Sequence, residues 1–328
     1  MNTERQVLAH QSATERVGSA FFVIGAQQAV AVPLLLEGVS GRSMVFRLSG
    51  VPLDVPSNSD CEQFSLPQGG YSLDNFRVYR LAIRKLHELR SRCTELHVYV
   101  PHVFHSMANF AAIDLKPDQV HLLPDGVLNY YDVNVDLQRR LHMGWKALIM
   151  KLCGGRYRFY TGALTGADAV DYSSTYTFNE AGLRTRYGRI CPLRLAPVKP
   201  AGAGEAVLFV DQPLHTLRKT LRQAIEAQVT QYLNSRKVVY KAHVSQDQPS
   251  VPIPDDVEIL PKDRPVESLL DGLPISEVVS VSSSALLTLK QLNPSLHCTA
   301  VGIEHLANEK PELARVRDTM LAAGIRCL

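Results

Sequence analysis

No C-x-x-C pair occurs in this chain, and its six cysteines (Cys61, Cys93, Cys153, Cys191, Cys298, Cys327) have no histidine at ligand spacing. That argues against a zinc site and against a dense disulfide framework, and leaves reduced thiols in a cytosolic protein as the reading. Also missing are G-x-S-x-G, a Walker A loop, H-E-x-x-H and a G-x-G-x-x-G placed after a strand. Their absence removes the common hydrolase, NTPase, zinc-protease and dehydrogenase chemistries. An excess of charge of one sign is lacking as well, since 35 Lys plus Arg stand against 32 Asp plus Glu for a formal +3. No broad basic field attracts nucleic acid, so a bound anion has to be held at a local site.

What is present is a chain of 328 residues, 45% apolar and 20% charged. That is too apolar for disorder and long enough for two domains, each with its own core. Residues 19–36 (SAFFVIGAQQAVAVPLLL) come close to the length that spans a bilayer, but Gln27, Gln28 and Pro33 interrupt them. They read as a buried strand running into a helix, with a cleaved or anchoring segment as the other reading. Short apolar runs then alternate with longer amphipathic ones, the pattern of an α/β protein with parallel sheets. In the first half, strands are expected over 20–24, 44–48, 95–100 and 119–123, and helices over 28–36, 72–92, 104–111 and 137–152. In the last of these helices Leu137, Leu141, Trp145, Leu148 and Leu152 share one face, which reads as core. Residues 192–205 (PLRLAPVKPAGAGE) form the best linker, and a second α/β alternation follows from 206. The expected units are 1–200, 201–308 and a terminal helix in 309–328, with a return to the first unit as one path for that helix. Two doubly wound domains place a ligand between them, at the carboxyl ends of strands.

Four strand ends carry residues with usable chemistry. The run QVHLLPDGV ends in Pro124-Asp125-Gly126, where a carboxylate on a tight turn can serve as a general base; P-D-G is also a common turn tripeptide. In VVYKAHV, His243 follows the strand and can hold or protonate a leaving phosphate, or can be an ordinary loop histidine. In EVVSVSSSALLT, Ser282, Ser283 and Ser284 precede a helix; hydroxyls and N–H groups there suit an anion, although a plain serine cap needs only one of them. Gln27 and Gln28 open the helix after the first strand and can offer amides to a sugar. His102 and His105 are candidates for the acceptor side of the same crevice.

Taken in this order, Asp125, then His243, then Ser283-Ser284, the chain resembles the bacterial sialyltransferases of lipooligosaccharide and capsule synthesis, including the polysialyltransferases. FFVIGAQQAV is similar to that superfamily's first strand and Gln-containing helix start, and VLFVDQPL, which holds Gln212, to its opening strand after the linker. Two departures stand out: Pro124 replaces the first acidic residue of the acidic-Asp-Gly motif, and Val244 replaces the proline after the histidine. The resemblance implies a GT-B fold of two Rossmann-like domains facing a cleft. It also implies inverting, metal-independent transfer of a nonulosonic acid from a CMP-sugar, with no cofactor, to a glycan or glycolipid hydroxyl. Asp125 would be the base, and His243 with Ser282, Ser283 and Ser284 would hold the CMP phosphate. Gln27, Gln28, Gly126, Gln212 and His102 would line the cleft. It further implies work in the cytoplasm, with peripheral association at the inner membrane as an option; the arginine-rich helix over 72–92 could face anionic lipid, a solvated helix face being the other reading. Two alternatives stay open: transfer of Kdo or another nonulosonate by the same fold, and a catalytically silent binding protein of glycan assembly.

Overall fold

The first strand, β1 (Glu15–Val23), has no polar face to spare, because every side chain from Ser19 to Val23 is buried, as a strand covered on both sides requires. Phe21 stacks on Tyr99 with ring centroids 4.3 Å apart, while Phe22 faces the opposite core, 5.2 Å from Phe46. That is the two-residue alternation of a pleated strand. The computed structural model describes residues 15–56, 60–68, 72–131, 133–196, 204–244, 246, 248–254 and 257–328. The segment over 19–36 is the tail of β1 followed by α1 (Ala26–Leu36), and among the described residues no helix is long and apolar enough to cross a membrane.

Six further strands complete the first sheet: β2 (Arg42–Leu48), β3 (Cys61–Leu66), β4 (Cys93–Val100), β5 (Gln119–Leu122), β6 (Tyr172–Thr177) and β7 (Arg189–Pro192). All pair in parallel in the order β3-β2-β1-β4-β5-β6-β7. Helices α2 (Leu73–Arg92), α3 (Ser106–Asn109) and α4 (Leu137–Cys153) belong to this half. The second sheet holds β8 (Ala206–Val210), β9 (Val238–Lys241), β10 (Glu258–Ile259), β11 (Ile275–Ser280), β12 (His297–Ala300) and β13 (Arg326–Cys327). These too are all parallel, in the order β10-β9-β8-β11-β12-β13. Helices α5 (Lys219–Leu233), α6 (Ala285–Leu292), α7 (Ile303–Glu309) and α8 (Pro311–Ala322) accompany it. Each strand order reverses direction at its first strand, between β1 and β4 and between β8 and β11, and a reversal of that kind opens a crevice beyond the strands' carboxyl ends.

Three features depart from the sequence reading. The helix expected over 104–111 is a single α-turn, α3, that widens into a π-helical turn at Phe110–Asp114. Strands β3 and β6 were hidden by polar letters, since in CEQFSL and YSSTYT the hydroxyl and carboxylate residues break the apolar run. The face of α4 expected in the core points to solvent, with Leu137, Leu141, Trp145, Leu148 and Leu152 between 49% and 74% exposed. The buried face is formed instead by Met143, Ile149, Met150 and Cys153. Both faces of α4 are apolar, and unbranched methionine fits the irregular gap against α2 better than a leucine stripe does.

The halves meet through more than a linker. Tyr130 and Leu183 of the first half sit in the second half's core. Gly182, at φ +69°, lies so close to Thr319 of α8 that a Cβ there would collide with it. After α8 the chain returns to the second sheet as its edge strand β13.

Candidate active site

The turn after β5 is built around Asp125. Gln28, buried at the start of α1, accepts from Gly25 N at 2.6 Å through Oε1 and donates through Nε2 to Pro124 O and to Asp125 Oδ1, the latter at 3.5 Å. Gln27 Oε1 accepts from Gly126 N at 2.9 Å, and Asn129 Oδ1 accepts from Asp125 N. Both glutamines therefore shape the turn, and both Nε2 contacts of Gln28 are directed at it. Gly126 is at φ +63°, a left-handed conformation that a side chain resists.

Asp125 itself is 20% exposed, and burial raises its pKa above the usual carboxylate range while His102 and Gln28 pull it back. His102 Nε2 lies 3.9 Å from Asp125 Oδ2. Its Nδ1 accepts from Phe104 N at 3.2 Å, which leaves the ring proton on Nε2, toward the carboxylate. Burial lowers the pKa of His102, with Asp125 opposing and Lys146 reinforcing that shift. At that distance the neutral imidazole is a polar neighbour of the carboxylate and no hydrogen-bond donor to it, so it leaves the base ionisable.

Across the cleft stand groups suited to an anion. His243 and Lys241 follow and end β9; both have lowered pKa values, chiefly from burial. Asp211 opposes the shift at His243, and Lys241 and Lys262 add to it. Lys241 Nζ donates to Ala242 O and Lys262 O at 3.2 and 3.1 Å. Ser283 Oγ accepts from Ala285 N at 3.2 Å, while the N–H groups of Leu286, Leu287 and Thr288 bond to the carbonyls of Ser283 and Ser284. The first turn of α6 is thus already satisfied, and the groups that remain for an anion are the hydroxyls and the N–H groups of Ser283 and Ser284 themselves.

One cleft of about 340 Å³ joins the halves, and it is lined by Gln27, Gln28, Asp125, Gly126, His243, Ser283 and Ser284. A Cβ on Gly126 would lie 3.2 Å from Ser284 Oγ, so the base turn and the serine turn touch. Lys262, Arg264 and Glu267 line the cleft as well; the sequence reading singled out none of them, because they follow the short strand β10 with no motif around them. Four expected residues are placed elsewhere. Ser282 N and Oγ donate to Gln212 Oε1 at 2.6 and 3.3 Å, so this pair ties β8 to β11 and lines no part of the cleft. His102 sits behind Asp125, in a cavity of about 20 Å³ shared with Asn129, Tyr131 and Thr185, room for about one water. The pKa of His105, in the same loop, is lowered to about 3, chiefly by burial and further by His102 and Lys146. Among the described residues no three His, Cys, Asp or Glu side chains converge to hold a metal ion.

Residues 192–301 match the sequence profile of the alpha-2,8-polysialyltransferase family, a third of the chain that includes His243, Ser283 and Ser284 but not Asp125. Over that segment the chain is similar to a sialyltransferase family. Solved structures resemble the chain only distantly. A glycosyltransferase of kitacinnamycin shares 11% identity over 95% of this chain and 86% of its own, with a TM-score of 0.46. The glycosyltransferase SnogD from Streptomyces nogalater shares 12% over 95% and 96%, with a TM-score of 0.45. A 2-epimerase of UDP-N-acetylglucosamine from Listeria monocytogenes, itself described as putative, shares 9% over 94% and 91%, with a TM-score of 0.48. Likenesses this remote carry no argument about chemistry. No curated protein matches the sequence.

Proposed function

We propose that the protein transfers a nonulosonic acid, such as sialic acid, from a CMP-activated donor to a hydroxyl of a surface glycan, with inversion and without a metal ion. The observation that carries this reading is the contact of the Asp125-Gly126 turn with Ser284 in the cleft that also holds His243. Asp125 takes the proton as the acceptor oxygen forms its bond to the anomeric carbon. The bond from that carbon to the phosphate oxygen breaks on the opposite face, and its electron pair leaves with CMP. His243, Lys241 and the hydroxyls of Ser283 and Ser284 meet the charge that grows on the phosphate, and fixed donors aimed at developing charge lower the barrier. An anion there restores the proton affinity that burial removes from His243. The reading places the reaction in the cytoplasm, at the inner face of the membrane; six unpaired cysteines suit that reducing compartment.

The test is calorimetric titration of the protein with CMP, UMP, GMP and ADP in the presence of a chelator. Binding of CMP alone is expected, and it weakens in His243→Ala. Equal binding of all four nucleotides, or no binding of CMP, sinks the donor assignment.

A further inference from the structure

The exposed face of α4 has no occupant within the chain's described residues. Its five large apolar side chains run along 17 residues, about 25 Å of helix, and Phe159 continues them at 61% exposure. Between residues 137 and 160 there is no Asp or Glu, against Arg139, Arg140, Lys146, Lys151, Arg156 and Arg158. Lys146 turns inward, its ammonium 2.6 Å from Phe104 O and over that ring, and Arg158 lies 3.7 Å from Asp114. Arg140, Lys151 and Arg156 are exposed beside the stripe. Helix α2 packs alongside, with Arg80 donating to Leu152 O at 3.0 Å, and its exposed Arg77, Leu81 and Arg84 share a face with Arg80. Of these Arg77 shares its charge with Asp74, 3.3 Å away, and other basic residues of α2 are spent on carboxylates: Lys85 on Glu62, Arg90 on Asp118 and Arg92 on Glu88.

We propose that this face of α4, together with Phe159 and the basic residues beside it, lies in the headgroup region of a bilayer that contains anionic phospholipid. Leucines and a tryptophan in a line, rimmed by arginine and lysine, give a helix that buries its apolar stripe at the interface and is held there by charge. The long basic side chains lie along the apolar surface with their heads at the phosphates. A second copy of the chain is the poorer fit. A two-fold contact through this face would set its basic rims against each other, and the segment offers no carboxylate to neutralise them. Through Lys146 the same helix grips Phe104, in the loop after β4 that carries His102, so the docked surface adjoins the Asp125 side of the cleft.

The chain's single tryptophan, Trp145, lies in the stripe and reports its surroundings without a label. The full-length protein is mixed with vesicles of phosphatidylcholine, or of phosphatidylcholine with phosphatidylglycerol, at low and high salt. The expected result is co-sedimentation with the anionic vesicles, weakened by salt, with Trp145 emission shifted to the blue and shielded from iodide. Leu141→Ser with Leu148→Ser should reduce vesicle binding by about tenfold or more with an unchanged thermal midpoint, because both side chains are exposed. Wild-type emission that does not move with anionic vesicles overturns the proposal whatever the variant does. So does equal sedimentation of the variant, or a blue shift that follows protein concentration in the absence of lipid.

Discussion

Burial sets the chemistry of Asp125, whose pKa is raised above the carboxylate range. Its proton-bound form is therefore favoured by folding at low pH, and once the pH exceeds the folded pKa the ionised group is a cost to stability. Asp125→Asn should lower turnover by about 10²- to 10⁴-fold and leave CMP affinity intact. It should also raise the thermal midpoint at pH 7, with the gain vanishing below about pH 3, where both states of the wild type are protonated. Scanning calorimetry across pH, paired with a donor-turnover assay, checks both halves. For the wild type the acid limb of the rate profile should lie above the ordinary carboxylate range. At this scale the sequence was legible where a residue follows a buried strand directly, as Asp125, His243, Ser283 and Ser284 do. It misled where a side chain faced two uses. Gln28 and Gln212 look like ligands on paper, but Gln28 Nε2 donates to Pro124 O and Gln212 Oε1 accepts from Ser282.

Among elements, the β5 turn is the one most exposed to change. Gly126→Ala adds a methyl at φ +63° and 3.2 Å from Ser284 Oγ, so both strain and contact oppose it. Left-handed placement of a side chain costs about 1–2 kcal/mol. The variant is expected to fold, with turnover lost and CMP binding weakened, since Ser284 must shift; CMP titration and turnover together check it. Helix α4 shows what periodicity leaves undetermined. Its Leu-Trp stripe and its Met143–Met150 face are both apolar, and only the packing against α2 selects which is buried. Strand β6 was illegible for another reason: its Ser174 and Thr175 are buried with their hydroxyls bonded to His121 and to Tyr187 O. Hydrogen bonding makes a polar sequence behave as an interior one.

Over the whole molecule, the relation of the two halves depends on the seam at Tyr130, Leu183 and α8. Gly182→Ala would push against Thr319 and tilt α8 without touching any residue of the cleft. Its expected signature is a raised KM with kcat changed by less than about threefold, because the loss falls on uniform binding; steady-state kinetics at varied donor checks it. The doubly wound plan was legible, because buried parallel strands read as unbroken apolar runs. The seam was not, because it joins residues that are distant in sequence and ordinary in composition.

That seam also bears on how the chain could be divided. The base belongs to one half and the phosphate groups to the other, while Tyr130 and Leu183 give the first half a hold on the second that owes nothing to the peptide between them. Two polypeptides, one ending near 192 and one beginning near 205, would each be inert alone. Mixed together they should reassemble into an active pair, which makes the protein a candidate for fragment complementation, with returning turnover as the measure of how well the two pieces recognise each other.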